Sequence, residues 1–152
     1  LVLSRQDLPT FDRTQYAPAS GVEKGAYIIA DTPNPQVILV STGSEVILCL
    51  KAFEQLKSRG ISARVVSMPS WEIFDRQPKE YRDIVLPPHI KARVAVEQAS
   101  TMGWERFVGE HGETIGMSTF GKSAPLHQLL DHFGFKPERI VDSAIRQIGK
   151  HA

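Results

Sequence analysis

The sequence predicts an α/β fold, a mostly parallel sheet with helices on both faces, and three observations carry that reading. Val37 to Ser41 (VILVS) is an unbroken, largely β-branched run, the pattern of a strand covered on both faces. Helical periodicity and a second strand-like run follow within about thirty residues, and such a strand, helix, strand unit is almost always parallel and right-handed. A third run, Ala92 to Glu97 (ARVAVE), repeats the alternation after another helix-like segment, so the layering rests on repetition.

Taken in order, the chain opens on LVLSRQDLP, whose apolar Leu1 to Leu3 reads as the end of a buried strand, with Ser4, Arg5, Gln6 and Asp7 directly after it. Thr10 to Gly25 has no helical or alternating period and reads as a surface linker. Ala26 to Ala30 (AYIIA) is a strand closed by the prolines of DTPNP. After Ser41, Val46, Leu50, Phe53 and Leu56 line one face of a helix, with Ser44 as its N-cap and Gly60 as its stop. Ala63 to Met68 (ARVVSM) is the next strand. Tyr81, Ile84 and Val85 then recur at i, i+3 and i+4 in a helix ended by Pro87, ahead of the strand at Ala92.

A helical patch around Trp104 to Val108 and a short strand from Thr114 to Met117 follow. In the next helix Ser123 is the cap, Pro125 lies in the first turn, Leu126, Leu129, Leu130 and Phe133 form the buried stripe, and Gly134 ends it. A further helix from Pro137 buries Ile140, Val141, Ala144, Ile145 and Ile148.

Composition narrows the function classes. With 152 residues, 41% of them hydrophobic and 23% charged, the chain suits one soluble domain with a substantial core. Eighteen Lys and Arg against seventeen Asp and Glu, with no run of like charge, argue against nucleic acid or an anionic membrane as partner. No stretch reaches the roughly 20 apolar residues of a membrane helix, and no basic leader with a cleavage site is seen. The single Cys49 excludes an internal disulfide, suits a reducing, cytoplasmic setting, and reads as a small core residue.

Parallel strands put their carboxyl ends on one edge, where ligands of open α/β sheets usually bind. Ser41 to Ser44, Met68 to Ser70 and Glu97 to Ser100 should meet there. Ser41, Thr42, Gly43 and Ser44 could hold an anion through backbone N–H groups and the Ser44 hydroxyl, or Ser44 could simply cap the helix. One glycine and no lysine make this no Walker loop. Glu97 is either an acid/base carboxylate or, with no second acid visibly paired with it, a hydrogen-bond anchor for a loop. His89, His111, His127, His132 and His151 show no metal-binding spacing. Trp71, Phe74 and Trp104 fill the core or form an exposed patch, the core being favoured. Arg5 could grip a phosphate or carboxylate with its rigid fork of donors, though the residues alone favour an ion pair with Asp7 or Asp12.

Together and in this order, LVLSRQDLP, STGSEV, ARVVSMPSWEIFD, YRDIVLPP, ARVAVEQAS, IGMSTFGKSAP and FGF resemble the C-terminal part of transketolase, over essentially the whole chain. The resemblance implies a three-layer fold with a mixed sheet of about five strands between helices. It assigns residues 1–25 to the end of a preceding pyrimidine-binding domain and a linker, and residues 26–152 to the C-terminal domain. Transketolases are homodimers that use thiamine diphosphate and magnesium to move a two-carbon ketol unit between sugar phosphates. By the same resemblance Arg5 binds the substrate phosphate, which reverses the ion-pair preference. The family's cofactor ligands, metal ligands and catalytic residues would lie upstream, so no cofactor or catalytic residue is expected in this chain and it should be inactive alone. Lys136, where relatives often have a threonine-like cap, and Lys122 in FGKSAP depart from the family pattern without touching a catalytic role. The alternatives are a regulatory or small-anion-binding module at the strand-end groove, and a purely structural domain that supports the dimer.

Overall fold

Every residue of β2 (Val37–Ser41) is buried, because a strand and a helical layer lie on every side of it. β3 (Ala63–Ser67) and β4 (Arg93–Ser100) flank it in parallel, and β5 (Glu113–Met117) is parallel to β4. β1 (Tyr27–Asp31) closes the other edge antiparallel to β3, with a register shift between Ile28 and Ala30. The order is β1-β3-β2-β4-β5. The computed structural model describes residues 6–151, and within them the sheet is the mixed, mostly parallel one that the sequence predicts.

Side chains alternate between faces along each strand, so the two helical layers divide the core between them. Val37, Leu39, Val65, Val94 and Val96 meet α1 (Val46–Ser58) and α6 (Pro137–His151). Ile38, Val40, Val66 and Ala95 meet the layer of α2 (Trp71–Asp75), α3 (Lys79–Val85) and α4 (Glu105–Val108). Trp104, Phe74 and Phe107 are buried in this second layer, and half-buried Trp71 meets Trp104 edge-on with centroids 5.2 Å apart, so these aromatics are core rather than an interface patch. Beside them Arg93 donates to the carbonyls of Pro87 at 2.8 Å and Phe107 at 2.7 Å, as well as to Ile90 and Leu86. One guanidinium thereby satisfies the turn after α3 and the end of α4, two places where helices leave carbonyls unpaired.

Several expectations are corrected. Thr10 to Gly25 is no bare linker: Phe11 and Tyr16 lie against the α1 side of the core, the Ala17 N–H donates to Ile29 O at 3.0 Å, and Ala19–Lys24 forms a 3₁₀ turn. Ile84 and Ile145 are exposed, since each falls on the solvent side of its helix while Val85 and Ala144 face inward. The segment before Pro87 is two short helices, α2 and α3, rather than one. Ser123 does not cap α5 (Leu126–Phe133); Pro125 occupies the N-cap position and no side chain bonds there. No residue of α5 is buried, and its stripe of Leu129, Leu130 and Phe133 is only half covered because little more than Met117 and Phe135 lies beneath it.

Gly25 is held by close approach as well as by conformation. Its φ is +79°, and a Cβ there would come within 2.3 Å of the Phe74 amide nitrogen and 2.5 Å of the Ser70 carbonyl oxygen. Gly60, at φ +74°, has nothing within 4 Å of the same point. Gly25→Ala should therefore cost more than the roughly 1–3 kcal/mol of left-handed strain alone, and Gly60→Ala only the strain. Thermal melts of the two variants check this, with Gly25→Ala falling further. Deleting residues 1–25 should likewise lower the melting temperature, because it uncovers the core around Ile29.

Candidate functional site

β2 and β3 end level with one another, while β4 runs on past its last pairing with β2, at Val96, to Ser100. Ser41 lies opposite Ser67 on one side and Val96 on the other, and the Met68 N–H donates to Ser41 O at 2.8 Å. The segments 41–44, 68–70 and 97–100 therefore meet at the carboxyl edge, as the topology predicts. Ser41 is fully buried, Thr42 is extended, and Gly43 turns the chain at φ +55° into a 3₁₀ turn, Gly43–Glu45. Ser44 lies within this turn and does not cap α1. Its hydroxyl donates to Glu45 Oε1 at 2.7 Å, and α1 begins at Val46 with no side-chain cap. The extra turn moves the helix start one residue along, with Glu45 at the N-cap position, and takes Ser44 out of it.

Glu45 is the residue that sequence reasoning missed. It is 4% exposed, and burial pushes its carboxyl up from the ordinary carboxylate value, partly offset by the Ser44 hydroxyl and its own backbone N–H. Glu97, half-buried on β4 just past its last pairing with β2, is pushed up to about 7, first by burial and then by the negative charge of Glu45. The Ala99 N–H bonds to Glu97 and works the other way, which fits the anchoring reading of this residue. Neither acid forms an ion pair among the described residues. The second acid that the sequence seemed to lack is thus supplied by the turn after β2. Its signal was present: an acid between the end of a fully apolar strand and the apolar face of a helix has nowhere exposed to go.

Beneath this edge Cys49 is fully buried, and burial pushes its thiol up to about 12, so at neutral pH it carries essentially no thiolate. The five histidines are exposed, and among the described residues no group of three or more His, Cys, Asp or Glu could hold a metal ion. Arg5, the expected phosphate ligand, lies outside the described residues.

Two outcomes follow from these environments. Glu97 binds its proton more tightly folded than unfolded, so its contribution to stability is complete below pH about 4.5 and is lost as pH rises through about 7. Glu97→Gln should abolish that loss, raising the melting temperature at pH 8 by about 2–4 °C relative to the parent and little at pH 4. Melting curves across that range read it directly. Cys49 should resist thiol reagents in the native chain and react at once in denaturant.

Comparison with known proteins places this architecture. Residues 25–136 match the family model described as the transketolase-like TK C-terminal domain. A transketolase of Aquifex aeolicus is 46% identical over 148 residues, covering 97% of this chain and 22% of that protein. One of Geobacillus stearothermophilus is 44% identical over 152 residues, covering 99% and 23%. A solved transketolase of Pichia stipitis, in complex with sedoheptulose 7-phosphate, superposes with a TM-score of 0.87 at 32% identity, covering 97% of this chain and 21% of its own. The chain spans about one fifth of the length of the relatives it matches. Matched in fold to these structures and in sequence along nearly all its length, the chain belongs to the transketolase family, where it corresponds to the C-terminal domain.

Proposed function

We propose that the chain works as the C-terminal domain of a transketolase that moves a two-carbon ketol unit between sugar phosphates. Its part is to support the assembled enzyme and to supply one substrate-phosphate ligand, Arg5. The observation that carries the reading is the ordered run of motifs from LVLSRQDLP to FGF together with the family match over residues 25–136. The Pichia stipitis relative solved with a sugar phosphate supports the substrate class. The half-covered stripe of α5 and the nearby Phe120, 98% exposed, support a surface that rests against the rest of the enzyme; that enzyme is proposed to be a cytoplasmic homodimer, as the family resemblance implies.

The described residues do not fit thiamine diphosphate and magnesium. They hold no three-ligand group for a metal, and the carboxyl edge presents the carboxyls of Glu45 and Glu97 where a diphosphate would need cationic donors. The cofactor and the chemistry it supplies are therefore assigned to parts of the enzyme outside this chain. The same two acids weigh against the alternative, an anion-binding module at Ser41, Thr42, Gly43 and Ser44, at neutral pH.

Calorimetric titration of the chain with thiamine diphosphate and magnesium should give no binding; micromolar affinity would sink the assignment. In the full-length enzyme Arg5→Ala removes a charge-assisted contact worth about 1.5–3 kcal/mol. KM for phosphorylated sugars should rise roughly ten- to a hundredfold, with kcat changed less and an unphosphorylated substrate almost unaffected. Arg5→Lys should recover part of the loss, as a point charge without the planar fork. Equal impairment with both kinds of substrate would return Arg5 to a surface ion pair.

A further inference from the structure

The opposite, amino-terminal edge of the sheet carries a hollow of about 370 Å³ where three parts of the chain converge. Gln36 stands just before β2, His89 and Lys91 lie in the loop leading into β4, and His151 comes from the last turn of α6. We propose that this hollow is a binding site for a phosphoryl group, free or carried on a small metabolite, held by Lys91, His89, His151 and Gln36.

The chemistry of the lining is one-sided. Every polar side chain around the hollow can donate a hydrogen bond, and no acid lines it. His89, Lys91 and His151 form no ion pair among the described residues, so their donors are uncommitted. Gln36 accepts from the Ser62 N–H through Oε1 at 3.3 Å, which fixes the carboxamide and leaves its NH₂ as a donor. His111 lies beside His151, with ring centroids 6.3 Å apart, and adds a second imidazole at the rim.

A separate observation comes from inside. Gln147 is fully buried, and neither its Nε2 nor its Oε1 has a hydrogen-bond partner. Four residues before His151, it lies on the same flank of α6, one turn further in, and the adjacent Ile148 lines the hollow. A wholly buried carboxamide without a partner is costly and calls for a polar group close by. Gln147 does not itself line the hollow, so the anion is held by Lys91, His89, His151 and Gln36 at the surface, with Gln147 behind the wall that Ile148 forms. Ile90 and Ala92, both buried, give the hollow an apolar floor on which charge-assisted bonds are stronger than in open water.

The test is a titration of the 152-residue chain with inorganic phosphate, at ionic strength held constant with sodium chloride and followed by backbone and side-chain NMR signals. Saturable shifts are expected at Gln36, His89, Lys91 and His151. Lys91 is exposed and unpaired, so Lys91→Ala should keep the native melting temperature while binding at least roughly tenfold more weakly. The double variant His89→Ala with His151→Ala should lose affinity further. Repeating the titration with glycerol 3-phosphate separates the sources: tighter binding identifies an ester ligand, equal binding free phosphate. Absence of saturable shifts at these residues, identical shifts with chloride alone, or unchanged binding by Lys91→Ala would overturn the proposal. Shifts confined to residues 41–44 would also overturn it, and would favour the anion reading of the other edge. None of these outcomes depends on ketol transfer, so the site stands or falls apart from the enzyme assignment.

Discussion

The complete burial of β2 is the constraint from which the rest follows. A strand with no solvent on either face needs a parallel neighbour on both flanks and a helical layer above and below, and its partners must run to the same level for their hydrogen bonds to be met. The chain leaving β2 must then turn at once into α1, while β4 runs on beside it past Val96. That leaves the turn holding Glu45 and the first unpaired stretch of β4, holding Glu97, to share a poorly solvated corner. Protonation relieves the cost of putting two carboxyls there, which is why both take up protons more readily than a free carboxylate.

The fold was legible because its signals are local and repeated. VILVS and ARVAVE announce covered strands, and the stripe Val46, Leu50, Phe53, Leu56 announces the helix between layers; each lies where its pattern put it. What the sequence hid depends on contacts across the chain. Phe11 and Tyr16 look like linker residues because nothing nearby reveals the groove they fill. The α5 stripe has a faultless helical period, yet period reports that a face is apolar, not that something covers it. Ser44 has the right identity for a cap but is displaced by a 3₁₀ turn that Gly43 permits. At the site, the strand-end edge was foreseeable from topology, whereas the acid pair required knowing that two strand ends are neighbours.

The sheet also separates charge along its strands. Its carboxyl edge gathers two acids without basic partners, and its amino edge gathers Lys91 and imidazoles without acidic ones. With a formal charge of only +1, the chain is nearly neutral as a whole, so these two local groupings are offset elsewhere on the molecule.

The register shift in β1 matters beyond the geometry of one strand pair. An antiparallel edge strand offers its unpaired backbone groups to any other chain that can align with them, and a straight, apolar one such as YIIAD is a template for stacking. Here the irregularity between Ile28 and Ala30 twists that edge, and the carbonyl of Ile29 is taken by the Ala17 N–H. The stretch before β1 thus gives this rim of the sheet one partner from the same molecule, and the bulge beside it makes the edge a poorer template for another chain.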